Sequence, residues 1–87
     1  MKVSDIATKV INKDDDGYVS FAIKALVEND SDEEEVYVCL QGLDNEDFEV
    51  YEMTLTGKIS TGESKVLTTS DYVAASIFEQ IIKWQEK

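Results

Sequence analysis

Asn12, Asp14, Asp16 and Ser20 carry side-chain oxygens within the run Asn12-Lys13-Asp14-Asp15-Asp16-Gly17-Tyr18-Val19-Ser20. This run matches the opening of a calcium-binding EF-hand loop, with oxygen donors at positions 1, 3, 5 and 9, glycine at 6 and an aliphatic residue at 8. The chemistry would be coordination of a hard divalent cation by carboxylate and amide oxygens. The closing position of such a loop takes a bidentate glutamate, and here it is Ile23; no helical pattern flanks the segment. Two expectations follow. The leading one is a hairpin whose Asp16-Gly17 pair forms a type I′ turn with both central residues at positive φ. The alternative is a small divalent-cation-binding domain using the 12–20 loop. No residue is assigned as a metal ligand.

Other chemistry is poorly supplied. There is no histidine to serve as general base, and Cys39, the single cysteine, has no evident activator. Cys39 is expected in the core or on the face of a strand. Carboxylates are plentiful, but acid–base work by a carboxylate pair needs a cleft that raises one pKa, which a domain of this size rarely contains. No glycine-rich phosphate loop and no metal-spaced Cys/His set is present. The expectation is a protein without catalytic residues and without a cofactor.

Charge narrows the partners. Nineteen acidic residues stand against eight lysines and no arginine, for a net charge of −11. Nucleic acid and anionic membrane surfaces both require a basic patch, so neither is an expected partner. A basic protein partner fits, as does a second, acidic role in which the chain mimics nucleic-acid phosphates and acts as an inhibitor. A lone cysteine allows no intrachain disulfide, and no segment reaches the roughly 18 apolar residues of a membrane helix. Met1-Lys2-Val3-Ser4-Asp5-Ile6 lacks a signal-peptide apolar run, so a cytoplasmic location is expected.

The elements that must position these groups are mainly strands. At 87 residues, 43% hydrophobic and 31% charged, the chain has room for one core and one domain spanning 1–87. Residues 3–12 form a weak alternating segment. Residues 18–28 form the clearest strand, with Val19, Phe21, Ile23, Ala25 and Val27 on the core face. Residues 29–35 are too polar to pack. Val36, Val38 and Leu40 share one face of the next strand, opposite Tyr37 and Cys39. After a turn at Asp44-Asn45-Glu46-Asp47, the stretch 48–60 changes parity between Phe48/Val50 and Tyr51/Met53/Leu55, which calls for a bulge or two strands. A turn at Gly62 leads to a short strand at 65–69. From Ser70 the period becomes helical, with Val73, Ile77, Ile81 and Trp84 on one stripe and Ala74, Phe78 and Ile82 widening it.

The segment Phe21-Ala-Ile-Lys-Ala-Leu-Val-Glu-Asn29, an acidic loop, and Val36-Tyr-Val-Cys-Leu-Gln-Gly-Leu-Asp44 together resemble the FxLYD-type and related immunoglobulin-like domains of prokaryotic proteins. Leu43-Asp44 stands where that family has Leu-Tyr-Asp, and Thr61-Gly62-Glu63 stands where it has Pro-Gly-Glu. The resemblance covers residues 18–68 and implies a non-enzymatic accessory or interaction module, of a kind often found in exported proteins. Together with the alternation, the expected fold is an immunoglobulin-like β-sandwich of about five to seven antiparallel strands over residues 2–69. One C-terminal helix over 71–86 packs on it through Ile77, Ile81 and Trp84, and that helix offers a face for a homodimer. An up-and-down meander would gather Asp14, Asp15, Asp16, Asp44, Glu46 and Asp47 at one pole.

Overall fold

The computed structural model describes residues 1–87. In chain order the elements are β1 (Lys2–Lys13), β2 (Tyr18–Glu28), β3 (Glu35–Leu43), β4 (Glu49–Lys58), β5 (Ser64–Ala74), the single-turn helix α1 (Ala75–Phe78) and β6 (Lys83–Glu86). They make two three-stranded antiparallel sheets, ordered β1-β2-β5 and β4-β3-β6. The protein is mainly β, with one short helix.

The two central strands supply most of the core. Val19, Phe21, Ile23, Ala25 and Val27 of β2 are all buried, as are Val36, Val38 and Leu40 of β3. Alternation puts these residues on one face of each strand, and the same faces meet Met53, Leu55, Ile59, Leu67 and Val73 in one hydrophobic cluster. β-branched side chains suit this pleated, half-buried surface. Cys39 is on the opposite face of β3 and is exposed, its Sγ 3.9 Å from Thr54 Oγ1.

The parity change near residue 50 is a bulge. Gly42 pairs with Tyr51 while Leu43 pairs with Glu49, so Val50 is the extra residue. In β1, register shifts between Ser4 and Ala7 and between Val10 and Asn12 break the edge, and Asp5 has a positive φ of 53° at the first of them. That shift lets Val3 and Ile6, of opposite parity, both pack on the core.

The expected helix over 71–86 does not form, and the boundary at residue 69 moves with it. Ser70 to Ala74 continue β5, paired in unbroken register with Ala22 down to Tyr18. Ala74 takes the capping position of α1 without a side-chain hydrogen bond, and Ser70 caps nothing. Lys83 to Glu86 instead pair with Leu43 to Leu40 as β6. The physical reason is that helical spacing was satisfied by residues buried in three different ways. Val73 faces inward from a strand, Ile77 and Phe78 from one helical turn, and Trp84 from another strand, while Ile82 is 64% exposed. Strand pairing and the core contacts of Val73, Ile77, Phe78 and Trp84 are long-range, so tertiary packing overrides local period. The homodimer face expected on that helix is therefore not formed as a helix face.

The strands do not form a simple meander, since β2 pairs with β5 and β3 with β6, but the β1–β2 and β3–β4 hairpins both turn at one pole, beside α1 and residues 79–82. The opposite pole holds residues 29–34 and 59–63, knit together by Asn29. Its side chain is 0% exposed. Its Nδ2 donates to the carbonyls of Glu33 (2.7 Å) and Ile59 (2.8 Å), and its Oδ1 accepts from the Ser31 amide (3.0 Å) and hydroxyl (2.9 Å). Backbone bonds from Asn29 to Glu63 and from Gly62 to Asn29 complete the junction. Gly62 adopts φ of 84° there, a conformation that glycine takes without steric cost.

Candidate functional site

Aspartate chemistry shapes the pole formed by the two hairpin loops. Asp14 Oδ1 accepts from the amides of Asp16 (3.1 Å) and Tyr18 (3.0 Å), while the Asp14 amide donates to the Tyr18 carbonyl (3.1 Å). Asp44 repeats the pattern, with Oδ1 accepting from Glu46 (2.9 Å) and Phe48 (3.0 Å) and its amide donating to the Phe48 carbonyl (3.0 Å). The residue before the aromatic has positive φ in both: 86° at Gly17 and 64° at Asp47. Each loop is thus an Asp-closed turn ending in an aromatic residue. The first is wider than the expected type I′ turn, since Gly17 alone, and not Asp16, has positive φ.

These bonds decide what the carboxylates can do. The other oxygen of Asp14 accepts from the Tyr72 hydroxyl, and these bonds together hold the Asp14 carboxyl below its usual range, the Tyr72 bond contributing most. Asn12 and Ser20 of the calcium-loop pattern are neighbours across the β1–β2 ladder. The structure contains no group of three or more acidic, cysteine or histidine side chains placed to hold a metal ion. Of the six carboxylates expected together, the topology brings all to one pole, but Asp14 and Asp44 are turn closers and Asp47 pairs with Lys83 at 2.7 Å. Asp15, Asp16 and Glu46 remain exposed to solvent.

Between these loops and α1 the pole has a shallow depression of about 320 Å³ lined by Asp44, Asn45, Glu79, Gln80 and Ile82. Ile82 stands 64% exposed, and Phe48, at the end of the second loop, 65% exposed. Both have hydrogen-bonded backbone: the Phe48 amide donates to Asp44 and the Ile82 amide to the Leu43 carbonyl at 2.9 Å. Sequence pattern missed both. The pattern puts Phe48 at the start of a β-prone stretch and Ile82 in a helical stripe, and neither position signals exposure.

Two tyrosines make polar contacts that alternation also could not show. Tyr18 and Tyr72 stack with ring centroids 5.0 Å apart on the outer face of the first sheet. Tyr51 of β4 donates its hydroxyl to Asp71, which lies opposite Phe21 on the inward side of β5, so the bond ties the edges of the two sheets. That hydrogen bond, chiefly, together with burial, pushes the Tyr51 phenol up to about 12. A raised phenol pKa stabilises the fold fully below the unfolded value near 10, and that contribution is lost as pH rises from about 10 through about 12. In an alkaline titration followed by phenolate absorbance, a step near 12 is expected that Tyr51→Phe removes and Asp71→Asn moves down toward 10. A Tyr51→Phe titration unchanged from the wild type would show that the tie does not form.

No helix of the structure is long and apolar enough to cross a membrane. Comparison of the chain with protein-family models, with curated proteins and with solved structures gave no match.

Proposed function

We propose that the chain is a non-catalytic protein-interaction module, built as an immunoglobulin-like β-sandwich, that presents its acidic pole to a basic protein partner. The observation that carries this reading is the exposure of Ile82 in a depression that Asp44 and Glu79 also line, with Phe48 exposed at the end of the same loop as Asp44. Large apolar side chains held out to water cost solvation that a partner recovers, and a pre-ordered backbone lowers the entropy lost on binding. Asp44 and Glu79 in the lining of the depression favour a partner with lysine or arginine around an apolar contact. The sandwich is supported by the single core cluster that draws on the inward faces of both sheets.

The test is capture from native lysate with the wild-type chain and with a Phe48→Ser, Ile82→Ser double variant. Both positions are exposed, so the variant is expected to melt like the wild type. The partner is expected to be retained by the wild type, lost by the variant, and only partly released by high salt, since rim charges are screened while apolar contact is not. Equal retention by both chains would overturn this pole as the recognition surface. Complete release by salt alone would favour the acidic-mimic role.

A further inference from the structure

We propose that β5 is a self-association edge: two copies of the chain join their β5 strands antiparallel about a twofold axis through Thr68, fusing their first sheets into one continuous sheet. This goes beyond the reading above and rests on a different surface. β5 lies at the edge of the first sheet and pairs with β2 over its whole length, Ser64 to Ala74, without a register shift.

Bonds at either flank fix which backbone groups the fold uses. The Asn29 amide donates to the Glu63 carbonyl at 3.0 Å and the Ala75 amide to the Gly17 carbonyl at 2.8 Å, and both pairs continue the β2–β5 register. Hydrogen-bonded pairs recur at every second residue of an antiparallel ladder, so the odd-numbered residues of β5 bond β2. Ser64, Val66, Thr68, Ser70, Tyr72 and Ala74 therefore turn N–H and C=O to the open edge. The Tyr72 amide accords with this, since it donates to the Asp71 side chain at 2.8 Å. None of the backbone bonds outside the strand ladders uses these six residues.

Charge selects the occupant and the register. β5 carries two charges, Lys65 and Asp71, which lie opposite the buried Val27 and Phe21 and so on the inward side. An inward charge on an edge strand disfavours an added strand unless that strand neutralises it. Centring the joint on Thr68 sets Lys65 of each copy opposite Asp71 of the other, at non-hydrogen-bonded positions where side chains come closest. Any shift of register separates them. The same alignment pairs Val66 with Ser70 and Ser64 with Tyr72, all residues whose backbone faces the joint. Val66, 55% exposed, and Tyr72, 53% exposed, then lie diagonally across it and cover one another.

Two copies of a chain with net charge −11 meet most easily where the acid is sparse. β1, β2 and β5 together hold five of the eight lysines and only three of the nineteen acidic residues. The far edge of this sheet, β1, has two register shifts and carries Lys2, Lys9 and Lys13, and β4 has its bulge at Val50. Those devices keep further strands from adding, so an isologous β5 joint closes at the dimer. A single strand edge is a small interface, below the roughly 1,200 Å² of standard complexes, so the association is weak.

The experiment is sedimentation equilibrium of the full chain from about 10 μM to about 1 mM, at physiological salt that screens the overall repulsion beyond about 8 Å, with amide exchange at both extremes. The mass is expected to rise toward twice that of the chain and no further. The Val66, Thr68 and Ser70 amides should exchange freely in the dilute chain and slow at least about threefold in the concentrated one, while Leu67 and Thr69 are protected in both. Ser70→Pro removes an N–H that the fold leaves unbonded, so it should fold and stay monomeric. Lys65→Glu should weaken association about tenfold by setting like charges opposite each other, and adding Asp71→Lys should restore it. Lys65 has no ion pair within the chain, so Lys65→Glu carries the test if Ser70→Pro does not fold. A mass that stays monomeric throughout, protected Val66 and Ser70 amides in the dilute chain, or undiminished association of Lys65→Glu would each overturn the joint. A dimer kept by Ser70→Pro and lost by the Phe48→Ser, Ile82→Ser variant would overturn it by placing self-association at the acidic pole.

Discussion

Asn29→Ala is expected to destabilise the fold by about 3–4 kcal/mol, measured by urea unfolding, although it deletes only one small side chain. Asn29 is fully buried, and its amide group is engaged at four points across two loops. Alanine would leave the Ile59 carbonyl without its donor and remove the side-chain bonds to the Ser31 amide and hydroxyl and to the Glu33 carbonyl, which keeps a bond from the Ser31 hydroxyl. The buried Ile59 carbonyl stranded in this way costs about 1–3 kcal/mol, and the bonds lost at the part-buried Ser31 and Glu33 groups, about 1 kcal/mol each, make up the rest. The isosteric Asn29→Asp separates hydrogen bonding from shape. A carboxylate there would point oxygen at two carbonyl oxygens, which favours its protonated form and raises its pKa above the unfolded value. A raised acid pKa means that stability is present at low pH and lost as pH rises through the folded value. Asn29→Asp should therefore be more stable near pH 4 than near pH 7 relative to the wild type. Equal loss at both would mean that packing, not donation to the two carbonyls, is what Asn29 provides.

What was legible before the structure depended on how local the deciding interaction is. The core face of β2 follows from alternation because every second residue from Val19 to Val27 is apolar and the strand is central. The bulge at Val50 shows in the sequence as a parity change; the Asp14 and Asp44 loops share one pole as a meander implies, but through two hairpins in separate sheets, a topology that alternation does not reveal. The C-terminal stretch was misread because Val73, Ile77, Ile81 and Trp84 keep helical spacing while their partners are remote. Phe21 pairs with Asp71, and Gly42 with Trp84. Gly42 gives room to the turn before β6, since a Cβ there would meet Ile81 Cγ2 at 3.0 Å and push that side chain aside. Asn29 ended a recognisable strand, yet nothing local revealed its bonds to Glu33 and Ile59.

The same long-range pairing makes Phe21→Ala the other large expected effect, a loss of about 3–5 kcal/mol, the range for deleting a buried aromatic side chain. Phe21 is 0% exposed at the middle of the core. Its ring lies 4.9 Å from that of Phe78, 6.0 Å from Trp84 and 6.4 Å from Tyr51. It therefore supports α1, β6 and β4 at once, although it belongs to the other sheet. Trp84→Ala should cost less, because Trp84 is only half-buried and its neighbours can close on Phe78. A chain of this size has roughly 4–13 kcal/mol of total stability, so Phe21→Ala brings it close to unfolding at room temperature. The four-residue strand β6 has few bonds of its own, and without the Phe21 ring beneath Trp84 and Phe78 it should release first. Amide exchange should then show residues 83–87 opening at lower denaturant than β2 or β3. If Phe21→Ala melted like the wild type, or if β6 stayed as protected as the central strands, the C-terminal segment would be held by its surface pairs Lys83–Asp47 and Lys87–Glu52 rather than by the aromatic cluster. Exposed pairs of this kind contribute about 0–1 kcal/mol each, too little to hold the segment without the rings.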